Sequence, residues 1–519
     1  MKKLLTSVIL FLITGFLFCA EYKIETVKYD LKSSSWGFLM STNEYALEQK
    51  VRVDKNKIFE SEEDLIKYIQ DYELRIKNTR AFESVSVKTE YGKPASKESY
   101  IPVTVYVNTV DSIPVLAVPY PKYNSNDGFI FKLKLKDMNF MGSLNPMSSD
   151  INFQIDNSTS ETKYTIGLTF SFDYPFKAGI FDATFVNDYT LDYTFGEPMP
   201  EWNAKTGLKF VYPKDRISFC LELYQSIINN LDYKVYDDNV YFNNLFKFST
   251  PIVLKKMNYF GNLNYTPYIS LNVNYDKDSI NIANTDLLGP VLKFGHSLDF
   301  GRIDWKDNYR YGFTFNLSNS MAYNFHKERI YTDIALEAKY FNYLTYTDKI
   351  SFLNRIGITS YLYTYYAFVD YESHNLQWDG DNFGNKLRGV RDTQYYSNGW
   401  ESLLSPAIIL LNVDFPFHLF TTNFTGKVMQ YFNFDCQISP FFDMALSYNK
   451  ETKTFFNPKD GFYCAGLEVL IYPAKFASFT VRASVGVDIG RKLFSDYINT
   501  SWRENVSTYE ISVGIGLAY

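Results

Sequence analysis

From about Ile113 onward, apolar and polar residues alternate one by one in segment after segment. In DRISFCLELY, Ile217, Phe219, Leu221 and Leu223 fall on one side of an extended chain, and Ser218, Cys220 and Glu222 on the other. PYISLNVNYD sets Ile269, Leu271, Val273 and Tyr275 against Ser270, Asn272 and Asn274. YRYGFTFNLSNSMAY does the same with Tyr311, Phe313, Phe315 and Leu317 against Arg310, Thr314, Asn316 and Ser318. FTVRASVGVDIG places Phe479, Val481, Ala483, Val485 and Val487 opposite Thr480, Arg482, Ser484, Gly486 and Asp488. A period of two marks a strand with two unlike faces. The charged members Glu222, Arg310, Arg482 and Asp488 all sit on the polar face. A charge facing lipid at mid-bilayer costs about 2–4 kcal/mol, so this sorting is what a membrane barrel requires. YPKD, NYDKD and YTDK punctuate the strands with turn residues. About 16 or 17 such segments lie between Asp127 and Tyr519, and single-chain barrels have even strand numbers. The expectation is an all-β transmembrane β-barrel of about 16 antiparallel strands, with about 25 residues for each strand and its loop.

Residues 21 to about 112 follow other rules. SEEDLIKYIQDYELRIKN opens with Ser61 as N-cap and acids in the first turn, and Leu65, Ile69, Tyr72 and Ile76 then recur at helical spacing. KIETVKYDL upstream reads as a strand and STNEYALEQKV as a shorter helix. Val85 and Val87 alternate with polar residues, as do Ile101, Val103, Val105 and Val107, with Gly92 and Pro94 between the two runs. The order strand, helix, helix, strand, strand predicts a small α+β domain of about 90 residues.

The first twenty residues, MKKLLTSVILFLITGFLFCA, pair Lys2 and Lys3 with an apolar run to Phe18. They read as a secretory signal peptide cleaved near Ala20, with a lipid-anchored Cys19 as the alternative. The expected organisation is thus a signal peptide over 1–20, the α+β domain over 21–112 and the barrel over 113–519. Composition agrees with export to a membrane. There are 44 Tyr and 45 Phe among 519 residues, yet mean hydropathy is only −0.22. After the signal no apolar run reaches the roughly 20 residues of a spanning helix, whereas strands with one wet face need none. A net charge of −6 leaves no footprint for nucleic acid. A large soluble sandwich or propeller is the rival fold. Aromatic strand ends such as FNYLTYT, where an interfacial girdle would lie, and the lack of a propeller-length repeat weigh against it.

Catalytic chemistry is not in view. His296, His326, His374 and His418 are scattered without metal spacing, and no phosphate loop or Gly-x-Ser-x-Gly motif occurs. Cys220, Cys436 and Cys464 have no paired spacing. The expectation is a non-enzyme with no metal and no cofactor.

Four stretches resemble the superfamily of outer-membrane assembly and translocation proteins that joins POTRA domains to a 16-stranded barrel. EEDLIKYIQDYELRIKNTRAFESVSV is similar to the POTRA helix and its following strand, with Phe82, Val85 and Val87. LKDMNFMGSL resembles the family's entry into the barrel, an Asn-aromatic-x-Gly turn at Asn139, Phe140 and Gly142. NKLRGVRD resembles the family's Val-Arg-Gly-aromatic motif at the tip of a long loop folded into the barrel. Arg388 and Gly389 match it, Leu387 replaces Val, and Val390 stands where an aromatic is expected. About 40 residues without clear alternation lead into PAIILLNVDFPF, and roughly five strands follow.

In the family the loop arginine meets an acid on a later strand's inner face. PFFDMALSY resembles that segment and makes Asp443 the implied partner, although Met444-Ala445 departs from the usual small residues. An Arg fork on a carboxylate is directional, and a neighbouring glycine lets the backbone turn tightly. Read without the family, Arg388 could instead pair locally with Asp392. Finally, Ser512, Gly514, Leu517 and Tyr519 fit the closing-strand signal of barrel proteins.

The resemblance implies an insertase or translocase in the bacterial outer membrane, with the N-terminal domain in the periplasm. Its implied partners are unfolded outer-membrane or exported polypeptides, outer-membrane lipid, and periplasmic chaperones or accessory lipoproteins. Only one POTRA-like domain can be placed, so a passive surface barrel (pore, adhesin or antigen) on the same scaffold is the alternative.

Overall fold

The computed structural model describes residues 21–34, 41–94, 100–124, 128–156, 162–214, 216–229, 240–257, 260–276, 289–345, 355–368, 380–390, 393–396, 399–449, 452–499 and 508–515. It has two units, one of residues Met1–Ile113 with Met141–Leu144, the other of Pro114–Phe140 with Asn145–Tyr519.

The first unit is built on a four-stranded sheet. Its order is Ile58–Phe59, Glu21–Lys32, Tyr100–Asp111, Phe82–Tyr91. Glu21–Lys32 runs parallel to Tyr100–Asp111, and the outer pairings are antiparallel. A parallel pair needs a crossover, and the helices Glu44–Lys50 and Glu62–Asn78 lie in that connection. The longer helix begins where Ser61 Oγ accepts the Asp64 N–H at 3.2 Å. Glu62, Glu63 and Asp64 occupy its first turn, and Arg75 and Lys77 its last, so charge follows the helix dipole at both ends.

Leu65, Ile69, Tyr72 and Ile76 form its buried stripe. They share one apolar cluster with Val103, Val105 and Val107, the inward positions of the central strand, and with Ile24, Leu47 and Phe59. At the edge of this core, the buried Asp111 accepts from the backbone N–H and the hydroxyl of Thr42, both at 2.8 Å. Burial pushes its carboxyl above the usual range, and the two Thr42 bonds oppose that shift.

The second unit is a closed antiparallel barrel of twenty-one hydrogen-bonded segments. Two strands are each counted twice because a proline interrupts them. Val240–Ser249 continues past Pro251 as Ile252–Met257, and Ala407–Asp414 continues past Pro416 as Phe417–Thr421. Proline cannot donate to the ladder. Thr454–Phe455 only extends the hairpin between Phe434–Asn449 and Phe462–Pro473. Among the described residues the wall therefore has eighteen strand positions, which corrects the expected sixteen. The number is still even. Seventeen of them lie beyond Asp127, as the alternation indicates, and Val115–Asn124, ahead of that point, makes eighteen. Some turns are tight: Gly179-Ile180 and Asp307-Asn308 each join long strands with two residues. Asp307 and Asn308 both take positive φ, 51° and 62°, as a tight hairpin turn demands.

The two faces of the wall are chemically opposite. Phe219, Leu221, Phe246, Phe248, Ile269, Phe294 and Phe313 point outward and are 38–47% exposed. The alternate positions meet across the interior. Glu222 lies between Lys209 and Lys247 on the neighbouring strands, at 3.8 and 4.0 Å. The Asn243 amide donates to Asn272 and Asn274 at 2.7 and 2.6 Å. The Ser320 hydroxyl donates to Asp333 at 2.7 Å.

Candidate functional site

One stretch of the inner wall is not polar. Ile408, Leu410 and Ala445 point inward and are wholly buried. What covers them is the connection between Arg355–Phe368 and Ala407–Asp414. Phe383, Leu387, Val390 and Leu403 from this loop pack with Ile408, Leu410, Ala445, Phe462 and Cys464 in one cluster. The loop turns inward because both partners are apolar: the run PAIILLNVD has greasy residues on both faces, as a strand covered on both sides does. Its stem is a short pairing of Asp381–Asn382 with Leu404–Ser405. A second fixing point lies on the wall, where the Tyr363 hydroxyl donates to Asp381 Oδ2 at 2.6 Å. Lys386 Nζ donates to the same oxygen at 3.2 Å and sits 4.6 Å from the Tyr363 ring centre.

At the tip, Arg388 meets Asp443 in a fork. Nε donates to Oδ2 at 3.0 Å and Nη2 to Oδ1 at 2.7 Å, while the backbone N–H of Arg388 donates to Oδ2 at 2.9 Å. Nη1 donates to Asp414 Oδ1 at 2.6 Å and lies 3.8 Å from Glu468 Oε2. The guanidinium stacks 3.8 Å above the Phe441 ring. The side chains of Arg388, Asp414, Asp443 and Glu468 are 11%, 9%, 0% and 5% exposed, so the charges are held out of bulk water. Glu468 also takes Arg482 Nη1 at 3.2 Å. Below this group, Arg310 stacks 3.9 Å over Phe341 and lines a small cavity with Asp414, Glu468 and Tyr472.

Gly389 completes the tip. Its φ is +90°, and a Cβ there would lie 2.6 Å from the Val487 nitrogen. The wall residue it faces is also a glycine: a Cβ on Gly486 would lie 2.8 Å from Gly389 Cα. The loop thus presses backbone against backbone, which a side chain on either residue would prevent. The Gly389 N–H donates to Glu510 Oε2 at 3.3 Å.

Arg388, Gly389 and Asp443 therefore stand together, and Asp392 lies outside the described residues. Five wall strands follow the loop among the described residues. Ser512 sits opposite Ser484, with hydroxyl oxygens 3.5 Å apart, and Gly514 is opposite Arg482. Their strand, Tyr509–Ile515, is the neighbour of Val115–Asn124 and closes the barrel. Leu517, Tyr519 and the segment 1–20 lie outside the described residues. Asn139 and Phe140 fall between Gly128–Asp137 and Met147–Asp156, and Gly142 in that connection has φ +72°. That turn follows the second wall strand, so it is not the entry to the barrel; Val115–Asn124 and Gly128–Asp137 precede it.

Asp414, Glu468, Phe441, Gly486 and Glu510 were not anticipated. The available signal was alternation: Glu468 and Glu510 fall on the inward face of their strands, and Asp414 follows Asn412 at the end of an otherwise apolar run. Cys220, Cys436 and Cys464 are buried and in no disulfide.

Fold and site together define a closed antiparallel β-barrel with an apolar exterior, whose interior holds a loop fastened to the wall at Arg388 and again at Asp381. No family model matches the sequence, and no curated protein does. Among solved structures the chain is similar to CdiB from Acinetobacter baumannii, at 10% identity and a TM-score of 0.47 over 95% of this chain and 73% of that one. It is similar to CdiB from Escherichia coli, at 10% identity and a TM-score of 0.48 over 95% and 76%. It is also similar to BamA from Haemophilus ducreyi lacking POTRA domains 1-3, at 11% identity and a TM-score of 0.36 over 95% and 84%.

Proposed function

We propose that this chain is a transmembrane barrel of the bacterial outer membrane that assists the insertion or export of other polypeptides. The observation that carries the reading is the clasp. A loop is drawn into the lumen and fixed there by Arg388 to Asp443 and Asp414 on two adjacent strands, through the Arg-Gly pair that resembles the assembly and translocation superfamily. The apolar exterior and polar interior support the membrane setting, since the exposed Phe and Leu belt would be costly in water. In this reading the first unit is a POTRA-like domain in the periplasm. Its Phe82–Tyr91 strand lies at a sheet edge and can add an extended substrate as a further strand. Substrates are unfolded outer-membrane or exported chains, and periplasmic chaperones or accessory lipoproteins are candidate helpers. No nucleotide or other cofactor enters the scheme.

Depletion of the protein tests it. A general loss of outer-membrane barrels, or of one exported polypeptide, is the expected result. Loss of one solute's uptake, or of one adhesion phenotype, with other barrels intact would favour a passive surface barrel instead. The second fixing point at Tyr363, Asp381 and Lys386 suits that rival, because it makes the loop a static plug.

A further inference from the structure

The connection 422–433, between the strands Phe417–Thr421 and Phe434–Asn449, has twelve residues. It lies at the end of the barrel where Gly179-Ile180 and Asp307-Asn308 make two-residue turns. Its shape is fixed. The Thr422 N–H donates to Phe434 O at 2.9 Å, and the Phe434 N–H to Thr422 Oγ1 at 2.8 Å. The Asn433 amide both donates to Phe424 O at 3.1 Å and accepts the Phe424 N–H at 2.5 Å. A turn at Met429–Phe432 is closed by bonds from Gln430 to Gly426 and from Tyr431 to Val428.

This scaffold displays large apolar side chains beside the exposed Asn423, Thr425, Gly426 and Lys427. Phe424, Val428, Met429 and Phe432 are 41%, 69%, 47% and 60% exposed. A projecting turn bathed in water is ordinarily made of Gly, Asn, Asp, Ser and Pro. The greasy residues also do not stand alone. Phe415 and Phe420, exposed on the strand directly above, belong to the outer belt, and Phe420 meets Phe434 edge-on at 5.9 Å. Apolar residues of the belt thus recur from wall to tip, with Thr421, Asn423 and Thr425 exposed between them. Lys427 and Tyr431 sit among these residues, and a cation on a long stem beside aromatic rings is the chemistry of a bilayer's polar boundary.

We infer that residues 424–432 form a lipid-binding foot, seated at the headgroup boundary of the leaflet on the short-turn side of the barrel. The occupant of the apolar surface is lipid, and the inference rests on the membrane reading above. The foot stands at the base of the two strands that carry Asp414 and Asp443, so it fixes in depth the part of the wall that holds the clasp.

The test uses residues 21–519 carrying one introduced cysteine each, F432C, V428C, F246C or K327C. Each is labelled while folded with an environment-sensitive nitrobenzoxadiazole probe. The native cysteines are buried and remain unlabelled. The proteins are reconstituted into phosphatidylcholine–phosphatidylglycerol vesicles with nitroxide on either the headgroup or the acyl chain. The probes at 432 and 428 are expected to be quenched by headgroup nitroxide roughly twofold more than the probe at 327, and to resist aqueous iodide. The belt probe at 246 is expected to respond to acyl-chain nitroxide. If the 246 probe responds while both foot probes are quenched by iodide and ignore lipid nitroxide, the foot is refuted and the barrel reading stands. If the 246 probe also stays in water, both fall together.

Discussion

Replacing Arg388 with alanine removes the one cation that Asp443 and Asp414 share. Asp443 is fully buried and Asp414 nearly so, and neither can turn to bulk water when the guanidinium leaves. Glu468 keeps Arg482 as a partner. Breaking a buried ion pair from one side typically costs about 3–5 kcal/mol, because the remaining charge stays desolvated. The backbone N–H of Arg388 still reaches Asp443 Oδ2 in the variant, which places R388A toward the lower half of that range. Arg388→Lys retains the charge but cannot present a planar fork to two carboxylates, and is expected to lose about half as much. The assay is urea unfolding of the detergent-solubilised barrel, followed by its electrophoretic shift from folded to unfolded mobility. In a double-mutant cycle, R388A and D443A are expected to couple by about 1–3 kcal/mol. If R388A and R388K both stay within about 0.5 kcal/mol of the parent, or the pair proves additive, the clasp does not hold the loop and the reasoning fails.

Four further outcomes follow from the geometry. G389A, at φ +90°, and G486A across from it should each free the loop and raise its cleavage by added protease. The left-handed backbone alone costs about 1–2 kcal/mol at Gly389. L221R on the outer face should impair folding into vesicles by about 2–4 kcal/mol, whereas S270E on the inner face beside Lys247 should be tolerated; folding yield in vesicles measures both. Ser61→Ala should destabilise the first unit by about 1 kcal/mol through loss of its helix cap, read as faster amide exchange in Glu62–Asn78. Asp111 binds its proton more tightly when folded than unfolded, so its contribution to stability is complete below the ordinary carboxylate pKa and is lost as pH rises through the raised folded value. Amide exchange in the first unit's sheet should quicken over that window in the parent and respond less to pH in D111N.

The barrel was legible because its strands obey one rule. Leu221 outward and Glu222 inward follow from alternation, and so does the sorting of Phe313 from Asn316. The helix Glu62–Asn78 was legible for the same kind of reason, with a cap at Ser61 and four apolar residues at helical spacing. The strand number was not, because Val115–Asn124 carries Pro119 and Pro121 and does not read as a wall strand, and the seventeen strands beyond Asp127 suit sixteen or eighteen equally. Of the clasp, Arg388, Gly389 and Asp443 were pointed out by a family pattern, not by spacing. Asp414, Glu468 and Glu510 come from three other strands, and only the lateral pairing of those strands brings them within reach of residue 388. Gly486 was invisible as well, since a glycine that receives another glycine leaves no periodic trace.

The bond from Gly389 to Glu510 joins positions 121 residues apart. The plug thus leans on a carboxylate carried by the strand that closes the wall. The interior of this protein can therefore settle only once its wall is nearly complete. A chain lacking residue 510 would leave the tip of the plug without one of its tethers, so sealing of the lumen waits on the strand Tyr509–Ile515.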